Sequence, residues 1–336
     1  MSMRNETLTY RAAIIEALQQ AMRTDPNVFL MGEDIGAAGG VFLQTEGLFD
    51  EFGAQRVIDT PISESGAFGM AVGAAMAGQR PVFEVMFGDF ITLIMDQLVN
   101  QAAKIHYMSN GGWRVPLVVR TTMGVGANLG PQHSQSLYAW AAHVPGLKVV
   151  LPATPADAKG LFTAALRDNN PVLIFEDRLL YGSKGPVPEG EHVVPLGQAA
   201  VVREGKDVTI VALGRMLAHA LQAADRLAEQ GISAEVIDPR TVLPLDKATL
   251  LRSLRRTHRA LIVDGASRSF GVSGEIAAML SEEAFDWLDA PVMRLAARDL
   301  PIPISKTLEP LIQPDVRQIV EAVQQLVHGD QEPHID

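Results

Sequence analysis

Four stretches of this chain are apolar almost from end to end: RPVFEVMF (80–87), VPLVVRTTMG (115–124), LKVVLPA (147–153) and PVLIFED (171–177). A strand with one face in water alternates apolar and polar residues. Strands that do not alternate are covered on both faces, the condition of a parallel sheet lying between helices. The segments between and before them supply those helices. ITLIMDQLVNQAAKIHYM (91–108) and TPADAKGLFTAALRDN (154–169) carry apolar residues at helical spacing, as do residues 10–23 ahead of a further strand, VFLMGED (28–34).

The alternation breaks at YGSKGPVPEGEHVVPLG (181–197), which is dense in glycine and proline and keeps neither period. It then restarts with the strands DVTIVALG, SAEVIDP and ALIVDG, separated by the helices AHALQAADRLAEQG and KATLLRSLRRT. A helix over GEIAAMLSEEAF, a strand in APVMRLAARDLPIPIS and a helix over PDVRQIVEAVQQLV close the chain. A length of 336 residues exceeds what one core usually supports. The expectation is two α/β domains, 1–180 and 198–330, joined by a linker at 181–197.

A formal net charge of -11 argues against a nucleic-acid or anionic-membrane surface. The absence of cysteine removes disulfides, thiolate metal sites and cysteine nucleophiles, and suits a cytoplasmic protein. MSMRNETLTYRAAIIEALQQ lacks the apolar core of a secretory signal. The uncharged run from Ser65 to Gln79 is too short to span a bilayer and reads as a buried helix.

That run begins beside the one acid of TPISESGAFGMAVGAAMAG (60–78), Glu64. Gly69, Gly73 and Ala77 follow at four-residue spacing, which lines one helix face with small side chains. Packing, with Glu64 favoured by the helix dipole, accounts for the pattern. A partly desolvated acid able to hold or hand over a proton is also compatible with it, though packing is the simpler account. His133, in GPQHSQS (130–136), lies in a loop between strands, where parallel sheets bind ligands. Surface exposure is its ordinary state, and a serine hydrolase built on Ser134 or Ser136 lacks the G-x-S-x-G elbow. RDNNP (167–171) offers helix-ending chemistry, or oxygen ligands for a hard cation. No phosphate-binding G-x-x-x-x-G-K-[ST], dinucleotide G-x-G-x-x-G, H-E-x-x-H or calcium loop is present.

Taken in order, GEDIGAAGGVF, RVIDTPISESGAFGMAVGAAMAGQRPVFEVMFGDF, DQLVNQAAKIHYMSNGG, PQHSQSLYAWAAHVPGLKVVLPATPADAKGLFTAALRDNNPVLIFED and LDAPVMRLAARDLPIPIS span nearly the whole chain. They resemble the beta subunits of thiamine-diphosphate-dependent 2-oxoacid dehydrogenases, a family that includes the pyruvate, branched-chain 2-oxoacid and acetoin enzymes. The resemblance implies an α/β, transketolase-like fold, with an N-terminal pyrimidine-binding domain and a C-terminal transketolase-type domain. It implies that Glu64 bonds the aminopyrimidine of thiamine diphosphate, that Ile62 and Phe90 contact that ring, and that His133 assists proton transfer and reductive acylation of a lipoyl group. Such enzymes hold the diphosphate and its magnesium through a Gly-Asp-Gly on the alpha subunit, where this chain has only Gly88-Asp89-Phe90. An α2β2 assembly is therefore implied. Family members also bind potassium, which carries over to Leu117, Ala165, Leu166, Asp168 and Asn170. Asp289 matches an acid that docks the dihydrolipoyl acyltransferase core. The implied reaction decarboxylates a 2-oxo acid, or cleaves acetoin, as HSQSLY with its Tyr138 suggests. A split transketolase or deoxyxylulose-phosphate synthase half, and a noncatalytic scaffold, are the competing readings.

Overall fold

The structure is a computed structural model that describes residues 5–329. Residues 1–4 of the stretch read for a signal, and residue 330 at the end of the second expected domain, lie outside the described residues. The chain divides into two units. Residues 5–124, 132–196 and 242–244 form the first, and residues 125–131, 197–241 and 245–329 the second.

The first unit is built on a seven-stranded sheet. Its order is Thr241–Leu243, Lys148–Val150, Val172–Asp177, Val118–Met123, Arg80–Phe87, Val28–Gly32, Val57–Asp59. From Lys148–Val150 onward every neighbouring pair is parallel, as the uninterrupted apolar strands require. On one face the helices Tyr10–Thr24 and Pro155–Arg167 bury Ile14, Leu18, Leu161 and Phe162 against Leu30, Val82, Val118 and Ile174. Thr9 and Thr154 cap these helices through hydroxyls that accept from the backbone N–H three residues on. The helix Glu64–Met76 also packs on this sheet, its Phe68 ring meeting Phe83 edge-on at 5.1 Å.

Three expectations need correction. The helix expected to be buried shields only Ala67, Phe68, Ala71, Val72 and Ala75, while Met70 is 58% exposed and Gly73 and Ala77 face outward. Its outer face is apolar or small as well, so hydropathy cannot tell one face from the other. The helix expected over 91–108 forms a full α-helical turn at Ile105–Met108, with α-helical winding also at Met95 and Asp96. Before that the chain makes 3₁₀ turns over Gly88–Ile94 and π turns over Gln97–Ala102. Its buried residues, Ile91, Ile94, Leu98 and Ala102, are spaced as an α-helix would also space them, which hides the change of winding. Residues 181–196, expected as linker, belong to the first unit: Lys184–Pro188 pairs antiparallel with Asn5–Thr9. The buried Lys159 ammonium holds this ribbon by donating to Pro188 O and Glu16 Oε1, both at 2.9 Å.

Inside the first unit, three neighbouring strands carry a buried charge group. Arg120 grips Glu176 with two hydrogen bonds of 2.8 and 2.6 Å and approaches Glu84 at 3.4 Å. Tyr181 donates to Glu176 (2.8 Å), and Gln44 to Glu84 (2.6 Å). One guanidinium thus faces two carboxylates. Burial, opposed by Arg120 and reinforced by Glu176, pushes the Glu84 carboxyl from its ordinary 4.5 up to about 7.

Between pH 4.5 and 7 the folded chain therefore keeps a proton on Glu84 that the unfolded chain releases. This stabilising contribution is complete below the unfolded value and is lost as pH rises through the folded one. The loss is on the order of 3 kcal/mol. Denaturant midpoints followed from pH 5 to 8 should fall more steeply for the natural chain than for Glu84→Gln, which has no proton to lose. Parallel profiles would refute the assignment.

The second unit carries a five-stranded sheet in the order Met293–Ala297, Ala260–Ser267, Val208–Ala212, Ala234–Asp238, Ala200–Arg203. Its strands run parallel except the last, which is antiparallel with a register shift. The helix Val316–His328 packs beside Met216–Ala228 and opens on a capping box in which Asp315 and Gln318 satisfy each other's backbone N–H. None of the described helices is long and apolar enough to cross a membrane.

Candidate active site

In a parallel sheet the carboxyl ends of the strands open onto loops that are free to carry chemistry. Across that edge of the first unit, His133 follows the strand Val118–Met123 and Phe90 follows Arg80–Phe87. Glu33 directly follows Val28–Gly32, and Glu64 follows Val57–Asp59. Neighbouring strands in the sheet thus deliver an imidazole, an aromatic ring and two carboxylates to one end.

His133 is half-buried, and its ring lies among aromatic rings. It meets Phe87 edge-on at 4.8 Å and Phe90 at 5.4 Å, and those two rings pack together at 5.6 Å. Such contacts fix an orientation that a loop would otherwise leave free. Gly88 makes the arrangement possible, because a Cβ there would lie 3.1 Å from Thr122 O and 3.6 Å from Gln135 O. Next to it Asp89 Oδ1 accepts from the Gln135 backbone N–H (3.2 Å) and from Gln135 Nε2 (2.7 Å). The turn bearing Phe90 and the segment bearing His133 are thereby joined.

Glu64 occupies the first turn of its helix and is half-buried. The preceding Ile62 is 86% exposed. Gln97, from the π-wound turns, donates to Ser65 Oγ at 2.8 Å, which ties the start of the Glu64 helix to the segment that follows Phe90. Partial burial raises the Glu33 carboxyl, and the negative charges of Glu64 and then Asp34 raise it further.

The expected cation ligands sit together at the end of the helix Pro155–Arg167. Asp168 caps that helix; its Oδ1 accepts from the Asn170 N–H (2.9 Å) and Nδ2 (3.2 Å), and its other oxygen pairs with Lys148. The Leu117 carbonyl accepts from Val172 N–H at 3.0 Å, and that of Ala165 from Asp168 N–H at 3.1 Å. Arg80 Nη1 lies 3.1 Å from both the Leu166 and Asp168 carbonyls. The set is all oxygen, mostly neutral, and already neighboured by two cationic side chains. Among the described residues no cluster of three His, Cys, Asp or Glu is placed to hold a metal. Asp289 lies in the second unit, half-exposed and 3.2 Å from Arg259.

Sequence reasoning selected Glu64, Phe90 and His133 but passed over Glu33, Phe87, Asp89 and Gln135. The available signal was position: GED and GDF each place polar residues at the end of an apolar strand. Gln97 links the start of the Glu64 helix to the segment that follows Phe90.

The transketolase pyrimidine-binding domain family matches residues 6–184, and the transketolase C-terminal domain family matches residues 197–319. The beta subunit of acetoin:2,6-dichlorophenolindophenol oxidoreductase of Bacillus subtilis (strain 168) is 47% identical, over 94% of this chain and 96% of its own. The mitochondrial pyruvate dehydrogenase E1 component subunit beta-2 of Oryza sativa subsp. japonica is 46% identical, over 94% and 85%. The 2-oxoisovalerate dehydrogenase subunit beta of B. subtilis is 46% identical, over 92% and 95%. Among solved structures, a split gene transketolase described as an inactive beta4 tetramer superposes with a TM-score of 0.78 at 26% identity, covering 96% of this chain and 98% of that one.

Proposed function

This chain belongs to the beta-subunit family of the 2-oxoacid and acetoin dehydrogenases, built on the two transketolase-type domains, and from that membership we propose that it is half of an enzyme that decarboxylates a 2-oxo acid and acylates a lipoyl group. Cleavage of acetoin is the alternative substrate reading, carried by the 47% identity to an acetoin enzyme's subunit. The observation that supports the site is the grouping of Glu64, Phe90 and His133 at one sheet edge, with the imidazole held among aromatic rings.

The residues present fit the pyrimidine end of thiamine diphosphate. A carboxylate, an exposed isoleucine and an aromatic ring are the groups an aminopyrimidine needs, whereas a diphosphate needs a cation that these residues do not supply. When bound, the cofactor supplies a carbon nucleophile toward the 2-oxo carbonyl and a sink for the electrons left by carbon dioxide. In this reading Glu64 holds a proton at the pyrimidine ring nitrogen, Ile62 and Phe90 orient the ring and exclude water, and His133 moves a proton at the reacting oxygen. Magnesium and the diphosphate belong to an alpha subunit in an α2β2 assembly. Potassium is assigned to the oxygens of Leu117, Ala165, Leu166, Asp168 and Asn170, and the acyltransferase core to the surface around Asp289. A cytoplasmic setting agrees with the lack of cysteine.

Purified alone, the chain should turn over neither 2-oxo acid nor acetoin. Mixed with its alpha subunit, the cofactor and a lipoyl domain, it should acylate the lipoyl group. Ketol transfer between sugars without lipoyl acylation would overturn the reading in favour of a split transketolase, a protein to which the chain is only 26% identical.

A further inference from the structure

The segment bearing His133 lies outside regular secondary structure, between the strand Val118–Met123 and the helix Tyr138–Ala142. A loop imidazole used for proton transfer must still be held to within a fraction of an ångström. On its far side the Asp89–Gln135 contacts supply an anchor. On its near side the anchor is Arg178, directly after the strand Val172–Asp177 and 6% exposed.

The Arg178 guanidinium reaches three carbonyls. Nε donates to Met123 O at 3.3 Å, and Nη2 donates to Gly124 O at 2.7 Å and to His133 O. Its Cζ also lies 5.6 Å from the centroid of the Phe87 ring, the ring that His133 meets edge-on. Gly124 fits this crowded strand end because its φ is +95° and a Cβ would lie 2.9 Å from Asp177 Oδ2. One side chain therefore grips the histidine's own backbone, the strand end that launches its loop, and the wall its ring packs on. A lysine has one nitrogen and could keep only part of this.

We propose that Arg178 is a positioning residue for His133, setting where the imidazole stands without touching substrate or cofactor. The proposal rests on reading His133 as the site's proton-transfer group. In the reconstituted enzyme, Arg178→Gln should lower kcat for lipoyl acylation by about 10- to 100-fold and leave KM for the 2-oxo acid within about twofold, since binding groups elsewhere are untouched. Arg178→Lys should recover part of the loss.

A second readout does not depend on activity. In the full chain labelled with 13C-histidine, the His133 ring signal, identified by its disappearance in His133→Asn, is shifted by the Phe87 and Phe90 rings. It should move toward the free-histidine position in Arg178→Gln. If His133→Asn retains normal activity, the functional reading fails, whatever Arg178 does. If His133→Asn is inactive while Arg178→Gln keeps both its kcat and an unmoved His133 signal, the positioning role is overturned. Should the glutamine variant not fold, Arg178→Lys decides in the same way: a lowered kcat with a displaced signal supports the proposal, and natural values of both overturn it.

Discussion

Glu64→Gln is expected to lower turnover of the reconstituted enzyme by about 10²- to 10⁴-fold, the range that a positioned proton-transfer group contributes. Glutamine keeps the shape and one hydrogen-bonding oxygen, but it cannot hold a carboxyl proton. The substitution should leave the fold nearly unharmed. Glu64 stands in the first turn of its helix with part of its surface in solvent, so what is lost is the favourable meeting of charge and helix dipole, about 0.3–1 kcal/mol. The informative result is therefore a split: near-normal melting and assembly with the alpha subunit, and turnover almost gone. Near-normal turnover would remove Glu64 from the chemistry and return it to a helix-end role.

The largest effect on stability is expected at Arg120. Arg120→Met leaves Glu176, which is fully buried, with only the Tyr181 hydroxyl, and leaves Glu84 with only Gln44. Breaking a buried ion pair from one side costs about 3–5 kcal/mol, because the remaining charge is stranded away from water. For a unit of this size each kcal/mol lowers Tm by about 2–4 °C. Adding Glu176→Gln should restore part of the loss, since the uncompensated charge goes with it. A single variant melting within about 2 °C of the natural chain would show that the group is not holding the sheet's centre.

The central strands are legible in the sequence because burial on both faces leaves short apolar runs without alternation, bounded by turn residues and separated by segments of helical period. The ribbon of Asn5–Thr9 and Lys184–Pro188 leaves none. Pro186 and Pro188 argue against a strand, yet in a two-stranded ribbon the backbone N–H positions that prolines lack can be those facing away from the partner. The site divides along the same line. Glu64 and His133 are visible as residue types suited to moving protons, and Phe90 becomes meaningful only through family resemblance. Arg178 is invisible from sequence. It acts on backbone carbonyls, which every residue possesses, so no partner residue type betrays the contact. Glu33 was missed because its significance depends on Glu64, which is distant in sequence and near only once strands are ordered in the sheet.

The outward face of the Glu64 helix bears on how a cell would handle this chain. Met70 and Gly73 on this helix, Ile62 just before it and Ala77 at its end lie open to solvent. Uncovered apolar surface of this kind invites self-association and capture by chaperones. Balanced synthesis with a covering partner is then expected to be a condition of the protein's abundance as well as of its activity, and chains made in excess should be the first to be degraded.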